Sequence, residues 1–369
     1  MPALSPRERL DRLRLARSEN VGPVTFQRLI ERFGSAGAAL EALPNLARQG
    51  GRRGPVRLCP ETDAVDEVEA VERLGARLLV LGDDAYPASL SAIADPPPAL
   101  SVLGDVALLS RPSVAMVGAR NASAAGRRFA RTLAGEIGQT GFVVVSGLAR
   151  GIDTAAHEGA LATGTIAVVA GGVDMVYPEE NRALHGRIAS QGAIVAEMPP
   201  GTEPIAALFP RRNRTISGLT LGTVVVEAAL RSGSLITARQ ALDQGREVFA
   251  VPGSPQDPRA RGANDLIRQG ATLVEGAADI LTVLGPAAGL QPSSSVKELN
   301  TKNNPPNLPA FDMDESRNKV LILLSPTPVA VDEIVRQCQL SPATVSLVLL
   351  ELELAGRLER HPGNQVSIL

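Results

Sequence analysis

The chain has 369 residues, of which 44% are hydrophobic, 21% charged and 2% aromatic. Its 37 basic and 39 acidic side chains give a net charge of −2, which argues against a protein that coats nucleic acid through overall positive charge. Two cysteines and three histidines exclude a disulfide framework and a metal site built from cysteines. The few aromatic residues also argue against an extended surface for stacking bases.

The first 60 residues are expected to form a small helical domain. Apolar residues recur at helical spacing between Leu10 and Leu43, and the segment 20–26 separates two helices, with Pro23 in the first turn of the second. This pattern resembles helix-hairpin-helix and sterile-alpha-motif modules, some of which hold a nucleic-acid backbone. We favour a small packing or interaction domain, and contact with a nucleic-acid backbone is the alternative interpretation.

Residues 61–285 alternate helical segments with short apolar runs. The runs lie at residues 77–81, 114–117, 142–145, 166–170, 193–196, 224–226 and 248–251. Unbroken Val, Ile and Ala runs are typical of parallel strands that are buried on both faces and joined by crossover helices. The pattern therefore predicts the α/β class, with an extended Rossmann-like, doubly wound and mostly parallel sheet.

The C-terminal part divides into a linker and a further domain. Residues 286–311 contain five prolines together with Ser and Asn runs, a composition typical of a flexible linker. Residues 312–369 contain three helical segments and a final hairpin pattern, which is the arrangement of a winged helix. Its candidate recognition helix, 341–355, contains no Lys or Arg, so we predict that it is not the main DNA-binding element.

No apolar run approaches the roughly 20 residues of a membrane span. Residues 1–20 alternate charged residues with Leu and lack the apolar core of a signal peptide. We therefore expect a cytoplasmic protein that does not associate with a membrane.

Glycine, serine and arginine recur where the predicted strands end. Ligands of open α/β sheets bind beyond those ends, glycine and serine turns present backbone N–H groups to anions, and arginine adds bidentate contacts. We predict a site for several phosphates or a polynucleotide there, with the arginines following one strand of phosphates. The residues assigned to it are Gly118, Arg120, Asn121, Ser123, Ser146, Gly147, Arg150, Gly151, Gly171, Gly172, Arg211, Arg212, Asn213, Arg214, Ser217, Gly218, Ser232, Gly233, Ser234 and Thr237.

Three further residues have side chains suited to catalysis. Asp153 and His157 are four residues apart, so the carboxylate could orient the imidazole, and Glu227 follows an apolar strand and could act as a base. No nucleophile elbow, metal triad or P-loop lysine accompanies them. We interpret all three as structural or positioning residues, and we predict neither catalysis nor a bound metal or cofactor.

Several long motifs resemble those of the DNA-processing protein A family, also called DprA or Smf. They occupy residues 146–153, 209–218 and 227–238, and shorter matches lie at 84–87, 118–123 and 252–253. The resemblance implies a non-enzymatic protein of natural transformation that binds and protects incoming single-stranded DNA. It also implies that such a protein loads the RecA recombinase onto these strands, often when single-strand-binding protein is already bound to them. Dimerisation through the Rossmann-like domain is implied as well.

An enzyme of nucleotide metabolism is the alternative hypothesis. Rossmann-like phosphoribohydrolases of the lysine-decarboxylase-like type carry a Gly-Thr-x-x-Glu motif, and residues 222–227 resemble it with one additional residue. The Pro-Gly-Gly that precedes the motif in that family is absent. A dinucleotide oxidoreductase is disfavoured, because no Gly-x-Gly-x-x-Gly follows the first strand of the predicted sheet.

Overall fold

A computed structural model describes residues 4–288, 313–338, 340–361 and 363–368. Of these, residues 4–13 and 61–288 form one compact unit, and residues 14–60 and those from 313 onward form a second. One break falls after residue 60, and the break after residue 13 falls within the first helix. The domain bounds 1–60, 61–285, 286–311 and 312–369 stay predictions. The predicted linker 286–311 lies almost wholly outside the described residues. Within the described ranges, no helix has the length and apolarity needed to cross a membrane.

The first unit is built on a nine-stranded sheet. Its strands are β1 (Ala76–Val80), β2 (Ala99–Gly104), β3 (Ser113–Gly118), β4 (Val143–Ser146), β5 (Thr165–Val169), β6 (Ala193–Ala196), β7 (Gly222–Val226), β8 (Glu247–Ala250) and β9 (Thr272–Leu273). Their order across the sheet is β1-β2-β6-β5-β4-β3-β7-β8-β9. All neighbours from β6 to β9 are parallel, and β2 is antiparallel to both β1 and β6. The predicted class, a doubly wound and mostly parallel sheet, is confirmed.

Helices are described in both units up to residue 284. In chain order they are α1 (Pro6–Arg17), α2 (Pro23–Phe33), α3 (Ala36–Gln49), α4 (Glu61–Arg73), α5 (Ala88–Ser91), α6 (Ala124–Gln139), α7 (Ile152–Ala160), α8 (Arg182–Gln191), α9 (Leu208–Gly218), α10 (Gly233–Asp243), α11 (Arg261–Arg268) and α12 (Ala277–Leu284), of which α2 and α3 belong to the second unit. Successive residues of β3 enter different cores: Val114 and Met116 pack with Ile152 of α7, whereas Ala115 and Val117 pack with other residues on the opposite face. Burial on both faces explains the unbroken apolar run of this strand.

The chain changes direction in the sheet at β3. From β3 it steps through β4 and β5 to β6 on one side, and it then returns to β7 on the other side of β3. The loops that follow β3 and β7 therefore diverge and leave a crevice between them. This is the position where an open α/β sheet binds its ligand.

The second unit contains α2, α3 and the predicted winged helix. The winged helix comprises α13 (Met313–Leu323), β10 (Val329–Ala330), α14 (Val331–Cys338), α15 (Pro342–Leu354), β11 (Leu358–His361) and β12 (Gln365–Ile368). Its strands form an antiparallel sheet in the order β10-β12-β11. Apolar residues from all three helices and from the hairpin fill one core. The predictions of a helical N-terminal part and a C-terminal winged helix are both confirmed.

Residues 209–218, which carry three of the arginines assigned to the phosphate site, lie in a helix, α9. Pro210 is in the first turn, where no intrahelical N–H bond is lost. Ile216 and Gly218 are buried against the rest of the unit, with Leu90 and Ile93 beside Gly218. The segment contains three arginines and a proline, so its apolar face gives no clear helical pattern in the sequence.

Candidate functional site

A cleft of about 890 Å³ opens at the ends of β3 and β7, and a smaller pocket of about 320 Å³ shares several of its walls. We call the two together the switch-point cleft. The predicted site residues that line it are Gly118, Arg120, Asn121, Gly147, Arg150, Asp153, Arg212, Asn213, Ser232, Gly233, Ser234 and Thr237. Loops separated by more than 100 residues in sequence thus meet at one place, as the ends of parallel strands do.

Phe209 lies at the centre of a cationic and aromatic cluster in the cleft. The guanidinium carbons of Arg120 and Arg212 lie 5.3 and 5.7 Å from the centroid of its ring. The ring of Tyr177 meets it edge to face, with centroids 5.7 Å apart. Both arginines are within the range of cation–π attraction, so the ring holds positive charge at the cleft wall.

Tyr177 and Phe209 were not among the site residues predicted from the sequence. The sequence signal for Phe209 is its position in the same motif as the arginines of α9. The signal for Tyr177 is its position after the end of a predicted strand. Arg231 and Arg259 also line the cleft and were not assigned. Arg259 is ion-paired with Asp257 at 2.8 Å.

Arg212 is buried at the base of the cleft. Its Nη1 donates to the carbonyl oxygen of Val168 at 3.2 Å, and its buried Nε has no hydrogen-bond partner among the described residues. Burial lowers the pKa of Arg212 to about 10, with nearby Arg120 adding to the effect and Asp153 opposing it. The side chain remains a cation at neutral pH and lacks one hydrogen-bond acceptor.

Asp153 fixes the loop beside Arg212. Its carboxylate accepts the backbone N–H groups of Gly147 and Ala149, each at 3.2 Å. Burial raises the pKa of Asp153, while Arg212 and the two N–H groups act in the opposite direction. A Cβ on Gly147 would lie 1.5 Å from Nη1 of Arg212, so only glycine allows this approach.

The N-terminus of α10 opens into the cleft. Ser232 caps the helix by accepting the backbone N–H of Ser234 at 3.3 Å. Beyond the adjoining residues of its own helix, no atom of the described residues would lie within 4 Å of a Cβ placed on Gly233. Exposed Arg231 precedes the cap. Backbone N–H groups and the positive end of the helix dipole make this terminus attractive to an anion.

The N-terminus of α6 is closed, although it follows the first parallel strand of the sheet. Glu227 accepts the backbone N–H of Ser123 at 2.8 Å and its hydroxyl at 2.5 Å, while Ser123 also caps α6. A Cβ on Gly126 would lie 2.5 Å from the same carboxyl group. Glu227 therefore occupies the position where a dinucleotide-binding fold holds its pyrophosphate.

The structure does not bring the three arginines of α9 together. Arg214 is buried and ion-paired with Asp95 at 3.0 Å and with Glu197 at 2.9 Å. Burial works to lower the pKa of Arg214, but the two carboxylates outweigh it and raise the pKa overall. Arg211 is exposed and does not line the cleft; it borders a small pocket together with Glu197 and Leu208.

We expected the three arginines to face one crevice and follow a single strand of phosphates. The helical conformation of α9 explains why they do not. Residues advance by about 100° each around a helix, so Arg212 points away from Arg214. The expected placement of all three in one crevice is therefore corrected, and only Arg212 lines it.

Other predicted site residues lie outside the cleft lining, namely Ser123, Ser146, Gly151, Gly171, Gly172, Ser217 and Gly218, together with His157 and Glu227. The hydroxyl of Ser146 donates to the carbonyl oxygen of Met116 at 2.6 Å. That of Ser217 donates to the carbonyl oxygen of Arg214 at 3.1 Å. Both serines satisfy backbone carbonyl groups in the interior.

The four glycines of this group are packing positions. A Cβ on Gly151, which has a φ of 79°, would lie 2.3 Å from the carbonyl oxygen of Ala119. Gly171 and Gly172 lie equally close to the backbone of residues 199–202, and Gly218 abuts Leu90. These glycines allow segments to approach one another beneath the cleft.

His157 is buried and neutral. Its Nδ1 lies 2.7 Å from the hydroxyl of Thr165, whose own proton goes to the carbonyl oxygen of Val144 at 2.8 Å. The imidazole proton is therefore on Nδ1, and Nε2 is buried with no partner among the described residues. Burial, with a smaller contribution from Arg212, lowers the pKa of His157 to about 3.

Comparison with known families gives three matches in sequence order. Residues 6–70 match the DprA-like N-terminal HHH domain, residues 77–285 match DNA recombination-mediator protein A, and residues 304–364 match the DprA winged helix domain. The chain is also similar to Protein Smf of Synechocystis sp., with 32% identity over an alignment of 377 positions that covers 94% of this chain and 95% of that protein.

Two solved structures resemble the chain. The X-ray structure of DNA processing protein A (DprA) from Streptococcus pneumoniae has a TM-score of 0.64 and 33% identity, and the match covers 76% of this chain and 98% of that one. A structure of DNA processing protein A from Helicobacter pylori, described for its single-stranded DNA binding mode, has a TM-score of 0.53 and 30% identity. That match covers 57% of this chain and 96% of the other.

Proposed function

The chain belongs to the DNA recombination-mediator protein A (DprA/Smf) family, and from this premise we propose that it binds single-stranded DNA in the switch-point cleft. The observation that carries the proposal is the cluster of Arg120 and Arg212 around Phe209. The cluster places fixed positive charge and aromatic surface at the ligand position of the fold. The relative from Helicobacter pylori, which is described as binding single-stranded DNA, supports the same ligand class.

The phosphates have two sets of donors in this proposal. Exposed Arg120 offers a bidentate guanidinium at one wall, and the backbone N–H groups at the start of α10 offer a second anion site beside Arg231. Arg212 adds a cation at the base of the cleft. These groups recognise phosphate and not base identity, so we expect binding to depend little on sequence and strongly on salt.

The aromatic residues favour a single strand over a duplex. Tyr177 is 49% exposed as a residue and lines the cleft, so part of its ring is available to a ligand. A base can stack on such a ring only when it has left its own stack, as in single-stranded DNA. The cleft supplies one such contact point, in place of the extended aromatic surface that the composition excludes.

The site geometry supports a binding protein and not the alternative hydrolase. Both carboxylate oxygens of Glu227 are engaged by Ser123 at the start of α6. His157 is buried, neutral and bonded to Thr165, and Asp153 holds loop N–H groups. Each candidate catalytic group thus has a structural partner, so we propose that the protein is not an enzyme.

Family membership supports a role in natural transformation and recombination. We propose that the protein protects incoming single strands in the cytoplasm and helps to load RecA onto them, in the presence of single-strand-binding protein. We further propose that it acts as a homodimer formed through the Rossmann-like domain. These partners follow from the family and not from the cleft.

Fluorescence anisotropy tests the proposal with a labelled single-stranded oligonucleotide and the matching duplex. We expect tighter binding of the single strand, similar affinities for different single-strand sequences, and weaker binding as salt increases. A parallel assay with nucleoside monophosphates should show no hydrolysis. Equal affinity for the duplex, or turnover of a monophosphate, would contradict the proposal.

A further inference from the structure

Helix α15 buries apolar side chains on two different faces. Val345, Val348 and Leu349 pack in the core of the winged helix. Leu350 and Leu354 are 2% and 0% exposed, yet they lie outside that core cluster. A helix that is apolar on both faces requires a second packing partner.

The second partner lies in the same compact unit, since α15 packs against both α2 and α3. Hydrogen bonds to backbone carbonyl groups accompany this contact. The Asn20 side chain donates to the carbonyl oxygen of Leu354 at 3.3 Å, Arg28 donates to that of Ser346 at 3.3 Å, and Arg357 donates to that of Gly50 at 3.4 Å. Polar bonds therefore surround the apolar contact.

Gly50 shows that the approach of α15 is close. This C-cap residue of α3 has a φ of −68° and a ψ of −2°, which any residue adopts without strain. A Cβ at Gly50 would nevertheless lie 2.1 Å from the carbonyl oxygen of Glu351 and 2.9 Å from the Cβ of Ala355. Helix α3 does not require glycine here, whereas the contact with α15 does.

Charged groups on α15 are also committed to neighbours within the unit. Glu351 is buried and ion-paired with Arg317 at 2.8 Å, and Glu353 is ion-paired with Arg360 at 2.8 Å. Burial and the nearby Arg360 lower the pKa of Arg28 to about 10, and Glu353 opposes this effect. Arg28 of α2 therefore lies within reach of the charges of α15 and β11.

We propose that the winged helix acts as an intrachain clamp, in which α15 holds the N-terminal helices α2 and α3 of the same chain. In winged-helix and helix-turn-helix proteins that bind DNA, the corresponding helix enters the major groove and brings positive charge. Here that helix has no Lys or Arg, and its second face is covered by protein. The surface that α15 offers is a protein-binding surface, and its partner is this chain's own N-terminal domain.

Hydrogen exchange of the full chain tests the clamp with Gly50→Leu as the disrupting variant. Gly54→Leu is the matched control, because a Cβ at Gly54 meets nothing within 4 Å. We expect amides of α15 and α2 to exchange about tenfold faster in Gly50→Leu, because the docked state opens locally more often. The hairpin β11–β12 and the control variant should keep the exchange rates of the unmodified chain.

A second variant separates undocking from local unfolding of α3. Arg28→Glu leaves Gly50 and α3 unchanged and places a like charge near Glu353, so it should accelerate exchange in α15 as well. Unchanged α15 exchange in both folded variants would overturn the clamp. A gain of duplex DNA affinity on undocking would also overturn it, since α15 would then be a masked DNA-binding helix.

Discussion

The Glu227 carboxylate accepts both the backbone N–H and the hydroxyl of Ser123, at 2.8 and 2.5 Å, although the two residues are 104 positions apart in sequence. The contact joins the end of β7 to the start of α6 and places a negative charge at the positive end of that helix. The protein thereby closes one helix terminus at the switch point, while α10 remains open to the cleft. An anion in the crevice is therefore expected at the start of α10 and not at the start of α6.

Glu227→Gln should destabilise the fold by about 1–2 kcal/mol, because a charge-assisted bond and a favourable helix-dipole interaction are removed. Glu227 does not line the switch-point cleft, so single-strand affinity should stay within about twofold of the unmodified protein. Urea unfolding and anisotropy measure the two effects. A loss of DNA binding at unchanged stability would place Glu227 in the interface.

Gly147→Ala should displace Arg212, because the added Cβ would lie 1.5 Å from Nη1. Overpacking of this kind costs about 1–3 kcal/mol, and we expect single-strand affinity to fall as well. Gly186→Ala is the control, since Gly186 lies in α8 and a Cβ there meets nothing within 4 Å. That change should be neutral or stabilising by up to about 1 kcal/mol. Equal unfolding midpoints for the two variants would contradict the close contact.

Arg214→Ala should reduce stability by about 3–5 kcal/mol, because it removes a buried cation from Glu197 and Asp95. Arg211→Ala, on the exposed side of the same helix, should change stability by less than about 0.5 kcal/mol. Urea unfolding of both variants measures the difference. If Arg214→Ala unfolds at the same urea concentration as Arg211→Ala, the buried ion pairs do not stabilise the fold.

The pH dependence of the free energy of unfolding should reflect the lowered pKa of His157. The pKa of this residue is about 3 in the folded protein and ordinarily 6.5, so the folded state resists protonation. The stability it contributes is fully present above pH 6.5 and declines as pH falls toward 3, by about 1.4 kcal/mol per pH unit. His157→Asn should have a shallower decline between pH 6 and 4. If the stability of both proteins declines equally with pH, the lowered pKa does not belong to His157.

The sequence predicted the parallel strands β3 to β8, because burial on both faces gives them unbroken apolar runs. It did not indicate β2, which pairs antiparallel with β1 and β6, or β9, which has two residues. The site could be predicted only in part. Residues that directly follow strands, such as Arg120 and Asn121, line the cleft as expected. Arg214 does not, because residues 208–218 form α9 and the helical rotation directs this arginine to Glu197.

Contacts between distant segments were beyond sequence analysis. The ring of Tyr177 meets Phe209 only because two loops fold over the same strand ends. Likewise, nothing near Gly50 in the sequence indicates the approach of Glu351, which belongs to the C-terminal domain. Such pairs depend on the tertiary fold and leave no periodic signal along the chain.

The salt dependence of single-strand binding tests the central claim most directly when Arg120→Ala and Arg211→Ala are compared. Arg120 lines the cleft beside Phe209, whereas Arg211 is an exposed arginine on α9 outside it. We predict that Arg120→Ala weakens binding to about the same extent for different sequences and reduces the salt slope by roughly 0.7 for each phosphate that the protein no longer neutralises. Arg211→Ala should keep both the affinity and the slope. An unchanged slope in Arg120→Ala, or an equal reduction in Arg211→Ala, would contradict the proposal that single-stranded DNA lies in the switch-point cleft.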